Sequence, residues 1–551
     1  MIDVAARGLS FDRAEARDLP LRWFWVGVAV VTGAVAVTLV ALLHAWPPHE
    51  DEALAVFVGR ASLPHVVHVV ITQRGGAPLH FLFAWAVVHA GGGLTALRVV
   101  SLLFAVASVP LIALLASRLA DRLVGLVAAT LAAATWVLLF HGIYGRMYSL
   151  FLFTSTLSFV LLLLALERGG RRRFALWGVA VWLTLATHPY GVLVLAAEAL
   201  YIVLRRDRRR ESSLALGLVV VAAIPFWWAD IVLRGRFDVG VGGGGSRLGS
   251  PGAVAHYFWW VSGDFSAGHH AWSTPVLLLA AAGLVLLAVR RRTSALLTVC
   301  VIVVPAVAFM LARLHATASP EARHLIFALP FFSTLLATAL VDVGRLRPLV
   351  TAPIAVAAVA TLLVGEVRWA HAKTPQLFDG DPSAEVHART DAARWLAASA
   401  RTNDVLLGYE PLYLVAWERN RAFSRRVLPR ADPVLLASAL RQLDAPVGHG
   451  VWVLDASDST NTWKRPTIRY AVPHPARQFD VRSFGPYLVV RTRQPLGTRE
   501  RYVVAAEAVM RLGRKLQIGD ADVNLHTIVV AARRIYGESS SSSRSFSTIS
   551  R

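Results

Sequence analysis

The sequence predicts a polytopic α-helical membrane protein that carries a small α/β domain in its C-terminal part. Of its 551 residues, 56% are hydrophobic, and long apolar runs recur up to about residue 366. A helix needs ~20 such residues to cross a bilayer. Beyond about residue 370 the hydropathy falls and short apolar segments of helical or strand spacing begin. The chain therefore divides into a membrane-embedded part and a soluble part.

Eleven apolar segments are predicted to span the membrane. They are residues 23–43, 97–117, 123–140, 148–166, 174–188, 191–204, 214–233, 273–289, 294–312, 323–341 and 349–366. Short arginine clusters alternate with polar connections, and the positive-inside rule puts those clusters in the cytoplasm together with the basic segment 1–22. An odd number of spans then puts the C-terminal domain on the outer side.

The first external loop is predicted to hold interfacial helices. Its apolar stretch 78–90 is too short to span comfortably, and counting it as a span would invert every later arginine cluster. With residues 62–71 before it, this stretch is typical of a helix that lies along the membrane surface. The acidic pair Asp51 and Glu52 begins this loop, eight residues after the first predicted span.

Charge and cysteine content exclude several function classes. The net charge of +21 comes from arginines between apolar runs, so no nucleic-acid partner is expected. The single cysteine, Cys300, lies inside an apolar run and supports neither a disulfide framework nor a thiolate metal site. The external residues His49, His269 and His270 show no metal-ligand spacing. No cofactor or metal site is assigned, although a divalent metal is not excluded.

The predicted external connections collect the ionisable and aromatic residues, whereas the cytoplasmic connections hold little besides arginine. Ionisable groups near a bilayer are costly and are usually kept for function. An outward-facing site at the membrane surface is therefore predicted. Its candidate residues are Asp51, Glu52, Arg146, Tyr148, His188, Tyr190, Arg323 and His324.

The order of five motifs resembles the GT-C class of glycosyltransferases that use lipid-phosphate-linked sugars, particularly the protein-mannosyltransferase and aminoarabinose-transferase branch. The motifs are HEDE at 49–52, GAPLH at 76–80, YGRMYSL at 144–150, THPYG at 187–191 and SPEARH at 319–324. The resemblance covers about residues 20–370.

This resemblance implies an inverting transfer of a hexose, with mannose as the first choice, from a polyprenyl-phosphate donor. The acceptor would be an external hydroxyl of a protein, a glycolipid or a polysaccharide. Asp51 would act as general base, with Glu52 as its neighbour, a contribution of roughly 10²–10⁴ in rate. The charge of the leaving phosphate would be met by positive and hydrogen-bonding groups. These are Arg146, Tyr148, His188, Tyr190, Arg323 and His324.

Four residues depart from the family pattern. Tyr144 stands where relatives often carry an acidic residue, so a second catalytic or metal-binding acid is not carried over. Gly76-Ala77 stands where the aminoarabinose branch resembles Glu-Lys, so a phosphate-contacting lysine is not carried over either. His324 stands where tyrosine is more usual.

Residues 371–537 are predicted to form an α/β domain on the outer side, after a linker at 379–382. Helices are predicted over 384–400 and 499–516, and short strands over 404–408, 451–454 and 487–490. The serine-rich tail 538–551 has the composition of a disordered segment.

Two other function classes share part of this pattern. A transporter or lipid flippase would carry ionisable residues in mid-span or paired interrupted helices, and the span interiors are almost purely apolar. A non-catalytic membrane scaffold would tolerate the loss of Asp51 and Arg146. The composition, rich in Ala, Arg and Val, is typical of a high-GC bacterium.

Overall fold

A computed structural model describes most of the chain. The described residues are 18–73, 78–206, 208–232, 250–269, 272–311, 321–420, 422–424, 426–430, 432–455, 478–518 and 521–537. The Gly76-Ala77 pair, His270, most of the basic N-terminal segment and the serine-rich tail lie outside them.

The membrane-embedded part is built from helices that follow one another through short turns. The first seven are α1 (Leu21–Leu42), α2 (Glu50–Gly59), α3 (Leu63–Gln73), α4 (Pro78–His89), α5 (Leu94–Leu119), α6 (Arg122–Ala134) and α7 (Trp136–Ile143). Next come α8 (Tyr148–Arg168), α9 (Arg171–Thr187), α10 (Gly191–Arg205), α11 (Arg209–Ala222), α12 (Ile224–Val232) and α13 (Pro251–Asp264). The last are α14 (Ser273–Arg290), α15 (Arg292–Leu311), a 3₁₀ helix (Ala322–Ala328), α16 (Leu329–Leu346) and α17 (Pro348–Lys373).

Among the described residues, seven helices are long and apolar enough to cross a membrane, or eight if the bent pair α6 and α7 is one span. These two helices meet at 61°, at Thr135, whose hydroxyl accepts the Leu138 N–H at 3.3 Å. Each of the eleven predicted spans overlaps one or two helices. However, α9 and α10 have only 17 and 15 residues, and 214–233 is divided between α11 and α12. The count of eleven therefore stays a prediction.

The short helices predicted in the first loop are confirmed as α3 and α4. They pack with α2 around a small apolar core that includes Val56, Val66, Phe81 and Leu97. This loop is thus a folded layer on one end of the helical bundle.

The expectation of apolar span interiors needs correction at two positions. Glu198 of α10 is fully buried and accepts hydrogen bonds from Ser158 Oγ at 2.6 Å and Trp177 Nε1 at 3.0 Å. Glu366 of α17 is also fully buried, and neither carboxylate oxygen has a hydrogen-bond partner among the described residues. A single acidic residue barely lowers the average hydropathy of a long apolar run. The averaged hydropathy therefore reveals neither Glu198 nor Glu366.

The C-terminal part alternates helices and strands. Its elements are α18 (Pro375–Asp379), α19 (Ser383–Ser399), β1 (Val405–Leu407), α20 (Pro411–Arg419), β2 (Arg426–Leu428) and α21 (Pro433–Arg441). They continue with β3 (Gly450–Asp455), β4 (Phe479–Phe484), β5 (Tyr487–Thr492), α22 (Arg499–Lys515) and α23 (Ala521–Tyr536). The three strands and two helices predicted from sequence are confirmed, whereas β2, β4, α20, α21 and α23 were not predicted.

The strands form one sheet in the order β2-β1-β3-β5-β4, with β2, β1 and β3 parallel and β5 antiparallel to both neighbours. The central strand β3 is buried on both faces. Trp452 and Leu454 enter one apolar core, while Val451 and Val453 enter the other. This alternation follows from the two-residue period of a strand, and it makes the soluble part a three-layered α/β domain.

Candidate active site

Helix α2 begins with three consecutive acidic residues, Glu50, Asp51 and Glu52. His49 caps this end, because its Nδ1 accepts the Asp51 N–H at 3.2 Å and its own N–H donates to the Glu52 carboxylate at 3.1 Å. Carboxylates are stabilised where a helix leaves N–H groups unpaired. The local sequence therefore fixes Asp51 in the first turn of a helix.

The turn between α7 and α8 docks on this first turn of α2. Tyr144 Oη lies 2.8 Å from His49 Nδ1 and 3.4 Å from Asp51 Oδ2. The Gly145 N–H donates to Glu52 Oε1 at 2.7 Å, and Arg146 Nη1 donates to the Asp51 carbonyl at 3.1 Å. Two of the motifs found in the sequence are thus the two sides of one contact.

Glu52 is fully buried in an ion pair with Arg98 of α5. Arg98 Nε donates to Glu52 Oε1 at 2.8 Å, and Nη2 donates to Oε2 at 2.6 Å. The remaining guanidinium hydrogens reach the carbonyls of Leu43, Trp46 and Pro47. Both carboxylate oxygens of Glu52 therefore accept hydrogen bonds from Arg98, and neither is open to a substrate. The sequence predicted Glu52 as a catalytic neighbour of Asp51, and this geometry differs because Arg98, which hydropathy assigns to a span, turns towards it.

Asp51 is held more loosely. Arg146 Nε lies 3.8 Å from Asp51 Oδ2, and the Asp51 side chain remains 34% exposed. Burial raises the pKa of Asp51, but the electrostatic interactions with Arg146, His49 and Arg323 and the hydrogen bond from Tyr144 together outweigh burial and lower the pKa to about 2. Asp51 is thus an ionised carboxylate with one side open.

Four predicted site residues form a group of neighbouring rings, here called the His–Tyr cluster: Tyr148, His188, Tyr190 and His324. The His188 ring lies 5.8 Å from Tyr148, 5.4 Å from Tyr190 and 5.6 Å from His324, measured between centroids. Tyr190 and His324 stack at 4.9 Å and 9°. The cluster brings together the start of α8, the turn between α9 and α10, and the 3₁₀ helix.

Short capping interactions hold the elements of the His–Tyr cluster. His188 Nδ1 accepts the Tyr190 N–H at 3.1 Å, which closes the His-Pro-Tyr turn. His324 Nδ1 accepts the Glu321 N–H at 3.0 Å and begins the 3₁₀ helix. Arg323 pairs with Glu321 at 2.9 Å and lies 5.3 Å from the ring centroid of Tyr148. Arg323 is therefore a cation at the edge of the cluster, partly engaged by an exposed acid.

Three further polar residues belong to this region and received no role from the sequence. His80 of α4 is buried with its Nε2 unpartnered among the described residues, and burial, followed by the charge of Arg146, lowers its pKa to about 3. His141 of α7 is buried, with its ring 4.7 Å from that of Tyr148. Lys373 bonds both oxygens of Asp264 at 2.5 Å and lies 3.7 Å from the Trp136 ring.

Weak sequence signals marked two of these three residues. His80 stands within the 76–80 motif, and Lys373 is the only lysine before residue 464. Among the described residues, no three His, Cys, Asp or Glu side chains are grouped as metal ligands.

Solved structures share this architecture. ArnT from Cupriavidus metallidurans bound to undecaprenyl phosphate aligns with a TM-score of 0.53 and 14% identity over 86% of this chain and 98% of that chain. The oligosaccharyltransferase AglB from Archaeoglobus fulgidus, with an inhibitory peptide and a dolichol-phosphate, aligns with a TM-score of 0.50 and 12% identity over 82% and 71%. The mycobacterial arabinofuranosyltransferase AftD aligns with a TM-score of 0.50 and 17% identity over 86% and 42%.

At these identities the likeness concerns the fold, and the fold is GT-C-like. No protein-family model matches the chain, and no curated protein matches its sequence significantly.

Proposed function

We propose that this GT-C-like protein is an integral membrane glycosyltransferase. It moves a hexose, with mannose as the first choice, from a polyprenyl-phosphate donor to an acceptor hydroxyl on the extracytoplasmic side. The observation that carries the proposal is the proximity of one ionised, half-open carboxylate, Asp51, to two arginines, Arg146 and Arg323, whose charges both act on it. ArnT and AglB, which share the fold, bind lipid phosphates in their solved structures.

Asp51 is the proposed general base. The acceptor oxygen attacks the anomeric carbon while its proton passes to the Asp51 carboxylate, and the bond from that carbon to the phosphate oxygen breaks. One displacement of this kind inverts the anomeric centre and leaves polyprenyl phosphate as product. A positioned base contributes roughly 10²–10⁴ to such a rate.

Arg146 and Arg323 are the proposed partners of the donor phosphate. A guanidinium forms short charge-assisted hydrogen bonds to phosphate oxygens and stabilises the charge that develops as the lipid phosphate leaves. Tyr148, His188, Tyr190 and His324 line the same place with rings, on which a sugar or the first isoprene units can pack.

The same two arginines tune the base. In the free protein their charges hold the pKa of Asp51 at about 2, where a carboxylate is a poor proton acceptor. A bound phosphate neutralises much of that positive charge, so the pKa of Asp51 rises when the donor is in place. Asp51 is therefore a stronger base in the donor complex than in the free protein.

Glu52 and His80 complete the proposed site in different ways. We assign Glu52 a structural role, because its ion pair with Arg98 fixes α2 against α5. His80 is buried beside Asp51 and Arg146, and its neutral ring can donate to or accept from an acceptor hydroxyl.

The proposal is tested by giving the purified protein radiolabelled polyprenyl-phosphate-mannose and a membrane and cell-wall extract as acceptor. Transfer by the native chain and its loss in Asp51→Asn are expected. The matched control is Asp391→Asn, since Asp391 is a half-exposed acid of the α/β domain paired with Arg394. Equal transfer by the native chain and Asp51→Asn would remove Asp51 as the base. Failure of the native chain with every lipid-phosphate sugar would refute the function.

One observation favours a second candidate, a transporter or lipid flippase. Glu366 is a fully buried acid in α17 without a hydrogen-bond partner among the described residues, as expected for a group that binds and releases a proton during transport. Movement of a lipid-phosphate sugar across liposomes, lost in Glu366→Gln and unaffected by Asp51→Asn, would support that candidate.

A further inference from the structure

The three acids that begin α2 are each bound by a different arginine. Glu52 pairs with Arg98 of the membrane-embedded part, and Asp51 lies beside Arg146. Glu50 instead pairs with Arg430 of the α/β domain, whose Nη2 lies 2.6 Å from Glu50 Oε2. The residue next to the proposed base is therefore held by a separate domain, 380 positions away in the sequence.

Arg430 reaches Glu50 from the edge of the sheet. Strands β1 and β2 are parallel, so the segments that follow them emerge at the same edge. Glu410 follows β1, Arg430 follows β2, and the two form an ion pair in which Glu410 is buried. The stem of Arg430 passes over Gly408, where an added Cβ would lie 2.7 Å from Arg430 Cδ. The guanidinium thus bridges a buried acid of its own domain and an acid of α2.

The rest of α2 makes contact with the same domain. The Arg60 guanidinium, just beyond the end of α2, lies 3.1 Å from the centroid of the Trp417 ring. Phe57 lies 6.1 Å from Tyr409 between ring centroids, and Leu414 of α20 is part of the apolar core around α2, α3 and α4. Residues 50, 57 and 60 recur at helical spacing along one side of α2. The α/β domain therefore holds this helix along its whole length.

We propose that Arg430 is a positioning residue that acts through Glu50 to orient Asp51. Glu52 and Arg98 fix one side of the first turn of α2, and the Glu50–Arg430 ion pair fixes the other. Without the Glu50–Arg430 ion pair, the first turn of α2 can rotate about the Glu52–Arg98 ion pair. The Asp51 carboxylate then leaves its place beside Arg146. The α/β domain is on this view part of the catalytic machinery. This inference rests on the proposed role of Asp51.

The direct test compares Glu50→Gln, Arg430→Gln and the double variant in the transfer assay. We expect kcat to fall roughly 10-fold in each single variant while KM for the lipid donor does not rise, because donor binding does not need the base. The double variant should lose no more than either single variant. Arg430→Lys should recover part of the loss. Glu50→Gln is the cleanest change, since it leaves the Arg430–Glu410 pair intact.

Arg394→Gln is the matched control, because Arg394 is an exposed arginine of the same domain whose pair with Asp391 is also exposed. It should keep native kcat. Full kcat in Glu50→Gln and Arg430→Gln, in a protein that otherwise transfers sugar, would overturn the inference while leaving the proposed function in place. So would losses in the two single variants that multiply in the double variant.

Hydrogen–deuterium exchange tests the same coupling without any activity. Amides of the segment 50–59 should exchange faster in Arg430→Gln than in the native protein, and should be unchanged in Arg394→Gln. If the native chain transfers no sugar, the proposed function fails. Hydrogen–deuterium exchange alone then decides whether Arg430 is coupled to α2. Unchanged exchange in 50–59 would then overturn the coupling.

Discussion

Two neighbouring acids of α2 have opposite environments. Glu52 is fully buried, and both its oxygens are held at 2.6 to 3.1 Å by Arg98, Gly145 and His49. The Asp51 carboxylate lies 3.8 Å from Arg146 Nε, and the Asp51 side chain is 34% exposed. Both oxygens of Glu52 are hydrogen-bonded within the protein, whereas the Asp51 carboxylate remains partly exposed. A short acidic motif thus places a buried, fully bonded carboxylate beside a partly exposed one, which is the proposed base.

The same chemical change at Asp51 and at Glu52 should have different consequences. Asp51→Asn should lower transfer roughly 10²–10⁴-fold while the fold survives, because a base is lost. Glu52→Gln should instead destabilise the protein, because the Arg98 charge stays buried without a partner. The measurements are initial rates at saturating donor and thermal unfolding followed by size exclusion. Equal stability loss in both variants would contradict the division of roles.

The two arginines that pair with these acids, Arg98 and Arg146, should differ in their contribution to stability. Arg98→Leu leaves the Glu52 charge buried and unpaired, which costs ~3–5 kcal/mol of the free energy of unfolding. Arg146→Leu removes a hydrogen bond to the Asp51 carbonyl and a longer contact to the partly exposed Asp51 carboxylate. Its cost should therefore be smaller, about 1–2 kcal/mol, while donor KM rises. Thermal unfolding of both variants checks this ranking. A larger stability loss in Arg146→Leu would reverse it.

Acid pH should separate the free protein from its donor complex. The pKa of Asp51 is lowered to about 2 from 3.8, so the carboxylate stays ionised until the pH falls through that lower value. A bound phosphate offsets the positive field, so the acid limb of kcat should lie about one pH unit or more above that of kcat/KM. The groups that act on the pKa of Asp51 are Arg146, His49, Arg323 and Tyr144. The charge of Asp51 in turn acts on His80, His324 and Tyr148, which also face it.

The variant Arg146→Leu checks the direction of this pH shift. It removes the positive charge that does most to lower the pKa of Asp51, so the acid limb of kcat/KM should move to higher pH in this variant. A pH–rate profile of kcat/KM that stays in place would mean that Asp51 is not the group that titrates. Loss of the acid limb in Asp51→Asn would identify it from the other direction.

The sequence predicted the helices of the membrane-embedded part better than it predicted the roles of their polar residues. Long apolar runs fix helices because backbone groups in lipid must be satisfied within the segment. Asp51, Arg146 and the residues of the His–Tyr cluster were found from motifs, since each stands at an element end. The roles of Glu52 and Arg98 depend on a contact between positions far apart in the chain, which no local pattern reports.

The α/β domain was harder to predict for a different reason. Strands β1 and β2 have only three residues each, too short for periodicity to register. The pairing of Arg430 with Glu50 follows from the sheet edge at which β1 and β2 end. It is therefore a property of the topology rather than of any motif.

The hydroxyl of Tyr144 should contribute less to transfer than the Asp51 carboxylate does. Its hydroxyl lies 3.4 Å from Asp51 Oδ2, a long contact, and 2.8 Å from His49 Nδ1. Tyr144→Phe should therefore lower kcat only about 3- to 10-fold, the worth of one ordinary hydrogen bond. The stability should fall by about 1 kcal/mol at most, since Asp51 keeps its open side. A loss as large as that of Asp51→Asn would mean that the proton leaves through Tyr144 and His49, and that Asp51 only orients them.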